Sequence, residues 1–263
     1  MVVGALGNVP SELVEASRAA YAVTVLTGAG MSAESGLETF RDPQVGLWER
    51  FRPEDLASPE AWAADPALVW AWYLWRFERA ASAEPNAGHH AIARWSNRAG
   101  VEVRVVTQNV DDLHERAGAP SVVHVHGRVG AFRCADCASP YGERVEVPSE
   151  PAERIDPPVC RDCGGLIRPG VVWFGEAMPA GAWESAELAV SAADLVLVVG
   201  TSALVHPAAG LPALARACGA TVAEINPVPT PISDQVHLVW RERAARALPA
   251  LVAQLAPSDP GAR

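Results

Sequence analysis

Residues 22–36 read AVTVLTGAGMSAESG, and this stretch sets the class of structure that the rest of the chain must fit. Its apolar, partly β-branched beginning, residues 22–26, is typical of a buried strand in a parallel sheet. The run breaks at Gly28, and Gly30 follows in the same loop. Glycines directly after a strand let backbone N–H groups approach phosphate oxygens. The stretch therefore predicts a strand entering a phosphate-binding loop, although a tight turn without a ligand would look the same.

The glycine spacing differs from that of the usual dinucleotide-binding loop. The third glycine comes six residues after Gly30 rather than three, and no acidic residue ends a second strand about 20 residues further on. The loop runs instead into Phe40-Arg41-Asp42-Pro43. We therefore expect a dinucleotide site of a different design, and an ordinary hydride-transfer enzyme is the weaker interpretation.

Strand and helix patterns alternate along most of the chain, which favours an α/β fold with a doubly wound parallel sheet. A first helix is predicted from Ser11, as its cap, to about residue 20. Further strands are predicted at 101–106, 122–125, 170–174, 195–199, 221–225 and 236–240, and further helices at 182–193, 207–218 and 243–255.

Two insertions interrupt this alternation. More than 70 residues separate the first two strands, far more than one crossover helix needs. They include a tryptophan-rich helix predicted at 66–81 and another at 87–98. The second insertion, 131–168, contains the cysteines. We predict that the insertions pack together as a small domain (41–98 and 131–168) beside a sheet domain (1–40, 99–130 and 169–263), with a ligand cleft between them.

Four of the five cysteines form two Cys-x-x-Cys pairs, Cys134/Cys137 and Cys160/Cys163. Four thiolates in a tetrahedral array suit Zn²⁺ and leave no open coordination position, so we expect a structural metal. A pair of redox disulfides is the alternative. The fifth cysteine, Cys218, lies in an apolar run and is expected to be a small buried side chain.

Composition narrows the class of protein. The net charge is −10 over 263 residues, which argues against nonspecific nucleic-acid binding and tolerates basic protein substrates. The N-terminus lacks the pattern of a signal peptide, and no segment has the roughly 18 apolar residues of a membrane span. Cysteines in ligand-spaced pairs fit a reducing compartment. We expect a cytoplasmic, monomeric protein with no membrane or nucleic-acid partner.

Small and polar residues follow four of the predicted strands. The second strand ends in Thr107-Gln108-Asn109-Val110-Asp111, and later ones end in Gly200-Thr201-Ser202 and in Asn226. Side chains at strand C-termini face the ligand crevice of open α/β sheets, whereas helix capping explains single cases. His126 ends another strand and is the candidate base, with His124 as its competitor.

These segments together resemble the sirtuins, the NAD-dependent protein deacylases. The match covers residues 21–250 in the family's order: GAGMSAESGLETFR (28–41), TQNVDDLHERAG (107–118), HG (126–127), both Cys-x-x-Cys pairs, PGVVWFGEAMP (169–179), GTSALVHP (200–207) and IN (225–226). The resemblance implies a Rossmann-type large domain and a small helical, zinc-binding domain.

The resemblance also implies roles for individual residues. His126 is the general base, and Asn109 and Asp111 hold the ribose and carboxamide of NAD in a reactive pose. The acyl-lysine oxygen attacks the ribose carbon that carries nicotinamide, and the products are lysine, nicotinamide and O-acyl-ADP-ribose. NAD is implied to lie across Gly28, Ala29, Gly30, Phe40, Arg41, Gln108, Asn109, Asp111, Gly200, Thr201, Ser202 and Asn226.

Two loops are implied to clasp the acylated protein substrate as an added strand. They contain Val172, Phe174, Gly175 and Glu176 on one side, and Val205 and Pro207 on the other. The pair Tyr73 and Arg76 shares one helix face and resembles the feature of sirtuins that remove succinyl and malonyl groups. Ala33 matches the same class and leaves room for a longer acyl chain. We predict desuccinylase and demalonylase activity, with some deacetylation.

The match is weakest near the C-terminus. Where the family has a small-residue loop under the adenine, this chain has Glu242 and Ala245, and only Ala244 is expected to offer its backbone. A plain deacetylase, a mono-ADP-ribosyltransferase and a non-catalytic NAD-binding module are the alternatives.

Overall fold

The computed structural model describes residues 2–4, 8–38, 48–148, 150 and 152–255. Seven strands form one parallel sheet in the order β1-β9-β8-β7-β2-β3-β4. They are β1 (Val2–Gly4), β2 (Ala22–Thr27), β3 (Glu102–Thr107), β4 (Val122–His124), β7 (Leu195–Val199), β8 (Thr221–Ile225) and β9 (Leu238–Trp240).

The strand order creates a crevice at a defined point. From β2 the chain passes outward through β3 and β4, and it then returns to place β7 on the other side of β2. Such a switch in direction leaves an opening at the carboxyl ends of the two central strands, where ligands bind in open α/β sheets. The loops after β2 and β7 therefore meet at the predicted site.

Helices cover both faces of the sheet, which explains why β7 is buried along its whole length. Leu195 and Leu197 face a core shared with α1 (Ser11–Ala19), α5 (Ala87–Ser96) and α9 (Ala244–Gln254). Val196 and Val198 face the opposite core with α7 (Ala180–Ser191) and α8 (Leu211–Ala217). The alternation of side chains along a strand produces these two layers.

A second, two-stranded antiparallel sheet corrects one prediction. The segment predicted as a main-sheet strand at 170–174 is instead β6 (Ile167–Val171), which pairs with β5 (Gly127–Cys134) outside the main sheet. The pattern of β5, GRVGAFRC, contains glycines and arginines and did not predict a strand. Within this β5–β6 ribbon, β5 begins one residue after His126 and ends at Cys134.

The ribbon packs against the first insertion. That insertion contains α2 (Pro53–Leu56), α3 (Pro59–Ala64) and α4 (Pro66–Ser82). Trp72 and Tyr73 of α4 share a buried cluster with Val129 and Val171 of the ribbon, and Trp70 packs with Cys134, Cys160 and Ile167. The two insertions are therefore in contact, as the sequence predicted.

Helix α5 belongs with the sheet rather than with the small body. Its residues Ala91, Ile92 and Trp95 lie in the core shared with α1 and α9. This packing favours a boundary near residue 86 rather than 98. The division into two domains otherwise stays a prediction.

Helix starts show which local signals were informative. Asp65 caps α4 by accepting a hydrogen bond from the Leu68 N–H at 3.0 Å, and Asn86 caps α5 in a capping box with His89. Ser11 does not cap α1, because Pro10 holds that position and no side chain caps it. The short α6 (Leu113–Arg116) follows β3. In the described ranges, no helix has the length and apolar character needed to cross a bilayer.

Candidate active site

The loops after β2 and β7 touch through their backbones. The Gly30 N–H donates to the Gly200 carbonyl at 2.8 Å, and the Gly28 N–H donates to the Val199 carbonyl at 3.1 Å. A Cβ on Gly30 would lie 2.8 Å from the Gly200 Cα, and one on Gly28 would lie 2.8 Å from the Thr201 Cα. Glycine is required because the loops approach so closely.

This contact corrects the phosphate-binding role predicted for the glycine amides. Since both N–H groups are donated to protein carbonyls, they are not available to a phosphate. The N–H of Ala29 has no hydrogen-bond acceptor in the described part of the chain. Gly200 has φ of 60°, and a Cβ there would lie 2.5 Å from the Met31 nitrogen. The two loops thus form one fixed unit at the crevice.

A buried polar cluster lies beside the first loop. The Ser32 hydroxyl donates to the Asp111 carboxylate at 2.9 Å, and the Asn109 side-chain amide donates to Ser32 Oγ at 3.0 Å. Burial raises the pKa of Asp111, while hydrogen bonds from the Leu113 amide and Ser32 oppose that rise. Ser32, which is only 2% exposed, was not among the residues that the sequence predicted for this site. The sequence feature that could have identified it as a site residue was its hydroxyl within the glycine loop.

A second set of polar contacts continues across the strand ends. The Gln108 side-chain amide donates to Thr201 Oγ1 at 3.0 Å, and the Asn226 side-chain amide donates to the Thr201 carbonyl at 2.8 Å. The structure therefore joins the predicted residues of β3, β7 and β8 at one edge. Ser202 is half-buried in the same loop as Thr201.

His126 has the hydrogen bonding expected of a base. Its Nδ1 lies 3.0 Å from the Gln108 carbonyl oxygen, which can only accept, so Nδ1 carries the proton. The other nitrogen, Nε2, then presents a lone pair, and it has no hydrogen-bond partner among the described residues. Burial lowers the pKa of His126, partly offset by the Gln108 hydrogen bond. The ring is therefore neutral near pH 7.

His124, the competing candidate, uses both ring nitrogens within the protein. Nδ1 lies 3.0 Å from the Asn109 carbonyl oxygen, and Nε2 lies 2.7 Å from Glu115 Oε1. Although burial opposes it, the hydrogen bond from His124 holds the pKa of Glu115 below its usual value. Neither nitrogen of His124 is available as a base.

Four other predicted cofactor or acyl residues have different outcomes. Phe40 and Arg41 lie outside the described residues. Ala33 is exposed in a short 3₁₀ turn after the glycine loop. Ala244 is buried at the start of α9, where the neighbouring Ala245 N–H is donated to Glu34 at 2.9 Å.

The predicted substrate loop 172–176 is partly bonded within the protein. The Val172 N–H donates to the His126 carbonyl, and the Phe174 N–H donates to the Ala57 carbonyl, both at 2.9 Å. These two amides are not available to a peptide strand. Phe174 and Val205 are nevertheless exposed, at 45% and 37%.

Tyr73 and Arg76 lie on α4, next to this loop. The Trp173 indole N–H donates to the Tyr73 hydroxyl oxygen at 3.1 Å. Burial raises the pKa of Tyr73 to about 12. Burial also lowers the pKa of Arg76, opposed by Tyr73, Glu38 and Asp111. The acyl-pocket candidates therefore lie near the Asp111 end of the polar cluster.

Glu176, predicted to contact substrate, is already paired. Arg168 forms a two-pronged ion pair with its carboxylate, with a second contact of 2.9 Å, and the Trp173 N–H donates to the same carboxylate at 2.9 Å. Arg168 is 5% exposed. The hydrogen bonds lower the pKa of Glu176 in spite of its burial. Glu176 therefore orders the loop.

The four paired cysteines converge, and all five cysteines of the chain are free thiols. The sulfurs of Cys134, Cys137, Cys160 and Cys163 all lie within 4.8 Å of one another, with contacts of 3.4 and 3.8 Å. Thiolates around a tetrahedral zinc lie about 3.8 Å apart, since Zn–S is about 2.3 Å. The cluster fits this metal. Cys218 is exposed, so its predicted burial is wrong.

Comparison with known proteins agrees with this architecture. The Sir2 family model matches residues 28–207. A Mycobacterium tuberculosis protein named NAD-dependent protein deacylase is 55% identical over 233 residues, which cover 89% of this chain and 97% of that protein. A Corynebacterium glutamicum protein of the same name is 52% identical over 240 residues, covering 91% and 93%. A crystal structure of a Sir2 homologue in complex with NAD is 42% identical, with a TM-score of 0.87 and coverage of 97% and 96%. This chain therefore belongs to the Sir2 family, the sirtuins.

Proposed function

We propose that this protein is an NAD-dependent protein-lysine deacylase that prefers succinyl and malonyl groups and retains some activity on acetyl groups. One observation carries the catalytic part. His126 has Nδ1 fixed by the Gln108 carbonyl and an Nε2 without a partner among the described residues. An imidazole in this tautomer accepts a proton from a substrate hydroxyl.

The chain's residues divide the work at the crevice. When bound, NAD supplies an electrophilic ribose carbon once nicotinamide leaves, and it receives the acyl group. Gln108, Thr201 and Asn226 form the polar floor that would hold its riboses. Asn109, Asp111 and Ser32 are tied together at 2.9–3.0 Å, so that they would orient the reacting end as one unit. His126 would then take the proton of a ribose hydroxyl, which attacks the acyl carbon.

Zinc would be held by the four cysteine thiolates and would stabilise the ribbon and the segment between the two pairs. A closed set of four thiolates leaves no position for a substrate. We expect one zinc per chain by elemental analysis and loss of folding in this segment on chelation. Freely titrating thiols without metal would contradict the assignment.

The acyl preference is supported by the position of Tyr73 and Arg76. Arginine offers paired donors suited to a carboxylate, and a tyrosine hydroxyl adds a further donor. The hydroxyl oxygen of Tyr73 lies 3.1 Å from the indole Nε1 of Trp173, a residue of the loop proposed to bind the peptide. A charged acyl end is therefore expected to meet both donors, with Ala33 leaving space beside them.

The deciding experiment is a panel of acetyl-, malonyl-, succinyl- and glutaryl-lysine peptides assayed with and without NAD. We expect NAD-dependent release of nicotinamide, with kcat/KM highest for succinyl or malonyl peptides. ADP-ribose found on protein rather than on the acyl group would favour mono-ADP-ribosyl transfer. NAD binding without nicotinamide release would favour a non-catalytic module, and equal or higher turnover of acetyl peptides would favour a plain deacetylase. Cytoplasmic location and a monomeric state also stay predictions.

A further inference from the structure

A line of contacts runs from Arg168 through Trp173 to Tyr73. The guanidinium carbon of Arg168 lies 3.3 Å from the centroid of the Trp173 ring, in a stacked cation–π contact. The same indole donates its N–H to the Tyr73 hydroxyl at 3.1 Å. Trp173 is 2% exposed, so these contacts are shielded from water and depend on one another.

Trp173 is also fixed through its backbone. Its N–H donates to Glu176 at 2.9 Å, and Glu176 is in turn held by both terminal nitrogens of Arg168. Arg168 donates additionally to the Val171 carbonyl at 3.1 Å. The indole therefore has little freedom to rotate, and its N–H points at Tyr73 by construction.

This geometry determines what the Tyr73 hydroxyl can do. An indole N–H only donates, so the phenol oxygen must be the acceptor in that bond. The phenol hydrogen is then directed elsewhere, and it has no acceptor among the described residues. With its pKa raised to about 12 by burial, the group keeps that hydrogen at every working pH.

We propose that Trp173 is a specificity-determining positioning residue, which holds the Tyr73 hydroxyl as an obligate donor to the carboxylate of the acyl chain. The proposal rests on the acyl preference proposed above. It assigns Arg168 and Glu176 the task of holding the indole, and it predicts that selectivity among acyl groups depends on an N–H that does not itself contact the substrate.

The test replaces Trp173 by Phe, which keeps an aromatic ring and removes the N–H. We expect kcat/KM for succinyl-lysine peptide to fall about five- to tenfold, mainly through KM, because one hydrogen-bond orientation is lost. The ratio of succinyl to acetyl kcat/KM should fall by a similar factor. Tyr73→Phe should show the same selectivity loss, and the double variant should lose no more than either single one.

The outcomes separate the two proposals. Wild-type enzyme that does not prefer acidic acyl groups would overturn the acyl preference and this proposal with it. Wild-type preference that survives Trp173→Phe, or an equal loss on both acyl groups, would overturn this proposal alone. If the variant fails to fold, NMR of ¹⁵N-indole-labelled protein decides: the Trp173 N–H resonance should shift in Tyr73→Phe, and an unchanged resonance would contradict the hydrogen bond.

The residue composition of the 263-residue sequence gives a second, independent observation. All 21 residues counted as Lys plus Arg are arginines, and the chain has no lysine. Arginine also takes the positions where cations stabilise the fold, as in the pairs Arg168–Glu176 and Arg241–Glu224. A protein proposed to remove acyl groups from lysine therefore has no side-chain amine that could receive one.

We infer that the enzyme is refractory to the modification it is proposed to remove. In that reaction a neutral amine attacks the carbonyl carbon of an acyl thioester, loses a proton and releases the thiol. A guanidinium stays protonated in proteins and is not a nucleophile. Acyl donors that modify lysines of substrate proteins should leave this chain's side-chain nitrogens unmodified and its activity unchanged.

Incubation with succinyl-coenzyme A tests this inference, with Arg52→Lys as the matched control because the Arg52 side chain is 78% exposed. After hydroxylamine removes thioesters, mass spectrometry should find no succinyl group on a wild-type side-chain nitrogen and one on Lys in the variant. Succinylated wild-type side-chain nitrogens, or lost wild-type activity, would overturn it. Removal from the variant on adding NAD reports separately on the proposed function.

Discussion

The sheet side and the acyl side of the candidate site are built in different ways. On the sheet side, the loops after β2 and β7 meet backbone to backbone, with Gly30 bonded to Gly200 at 2.8 Å. On the acyl side, large side chains make the contacts, as in the bond from Trp173 to Tyr73. Where backbones are in contact, an added side-chain atom would clash, so these glycines do not tolerate substitution. Where side chains make the contacts, single groups can be replaced one at a time.

His126 lies where the two sides meet, and its replacement should have the largest effect. Its ring Nδ1 donates a hydrogen bond to the Gln108 carbonyl on the sheet side, and its own carbonyl accepts the Val172 N–H of the proposed substrate loop. We expect His126→Ala to lower kcat about 10²- to 10⁴-fold, measured with acyl-peptide and NAD. Exchange of labelled nicotinamide should persist, since the base acts after nicotinamide leaves.

His124→Ala is the matched control, because both nitrogens of His124 are bonded within the protein. It should lower the melting temperature, and its loss of kcat should be smaller than that of His126→Ala. A larger loss of kcat in His124→Ala than in His126→Ala would reverse the assignment of the base.

Gly30→Ala tests the backbone contact on the sheet side directly. The added Cβ would lie 2.8 Å from Gly200, so the loops must separate. We expect the free energy of unfolding to fall by about 1–3 kcal/mol and the Kd for NAD to rise at least tenfold, measured by denaturation and calorimetry. Gly181→Ala, at the start of α7, adds a Cβ that would meet no atom within 4 Å. It should leave the Kd for NAD unchanged and should not lower the free energy of unfolding.

Arg76→Met alters one side chain on the acyl side. Loss of a charge-assisted hydrogen bond costs about 1.5–3 kcal/mol, so succinyl-lysine turnover should fall ten- to a hundredfold. Acetyl-lysine turnover serves as the internal control and should hold steady. Unchanged turnover of both peptides would show that the acyl pocket lies elsewhere.

The smallest expected effect is a difference between the pH dependence of the rate and that of the ratio of succinyl to acetyl turnover. The pKa of His126 is lowered by burial, so the neutral base persists below pH 6.5. Activity should therefore rise with pH through a value under 6.5 and be flat above 7. The pKa of Tyr73 is raised to about 12, so the ratio of succinyl to acetyl turnover should not vary between pH 6 and 9. A ratio that follows the rate profile would mean that the acyl side also titrates.

The sequence predicted the parts of the fold that follow from continuous patterns. β7 and β8 were predicted with their observed bounds because buried apolar runs flanked by turn residues leave few alternatives. The packing of α5 against α1 and α9 was not predicted, because an amphipathic pattern gives the apolar face of a helix but not its partner. The ribbon strand β5 was missed because its pattern, GRVGAFRC, does not alternate.

The candidate site followed the same division. Residues at strand ends were predicted together, because parallel strands bring their carboxyl ends to one edge. The hydrogen-bond partners of each group were not predictable from the sequence. The amides of Gly28 and Gly30 donate to protein carbonyls, and the Glu176 carboxylate forms an ion pair with Arg168. Trp173 became visible only through its hydrogen-bond partners, since no spacing rule singles it out, and the one signal for Ser32 was its hydroxyl within the glycine loop.

The β5–β6 ribbon connects the four-cysteine cluster to the proposed catalytic base, His126. Cys134 ends the strand that begins just after His126, and β6 leads directly into the loop proposed to face the peptide. Oxidants or chelators that attack the cysteine thiols are therefore expected to change the position of the His126 imidazole. We expect such damage to slow turnover first, through misplacement of the peptide. The affinity for NAD, which is proposed to depend on the glycine loops of the main sheet, should then still be unchanged.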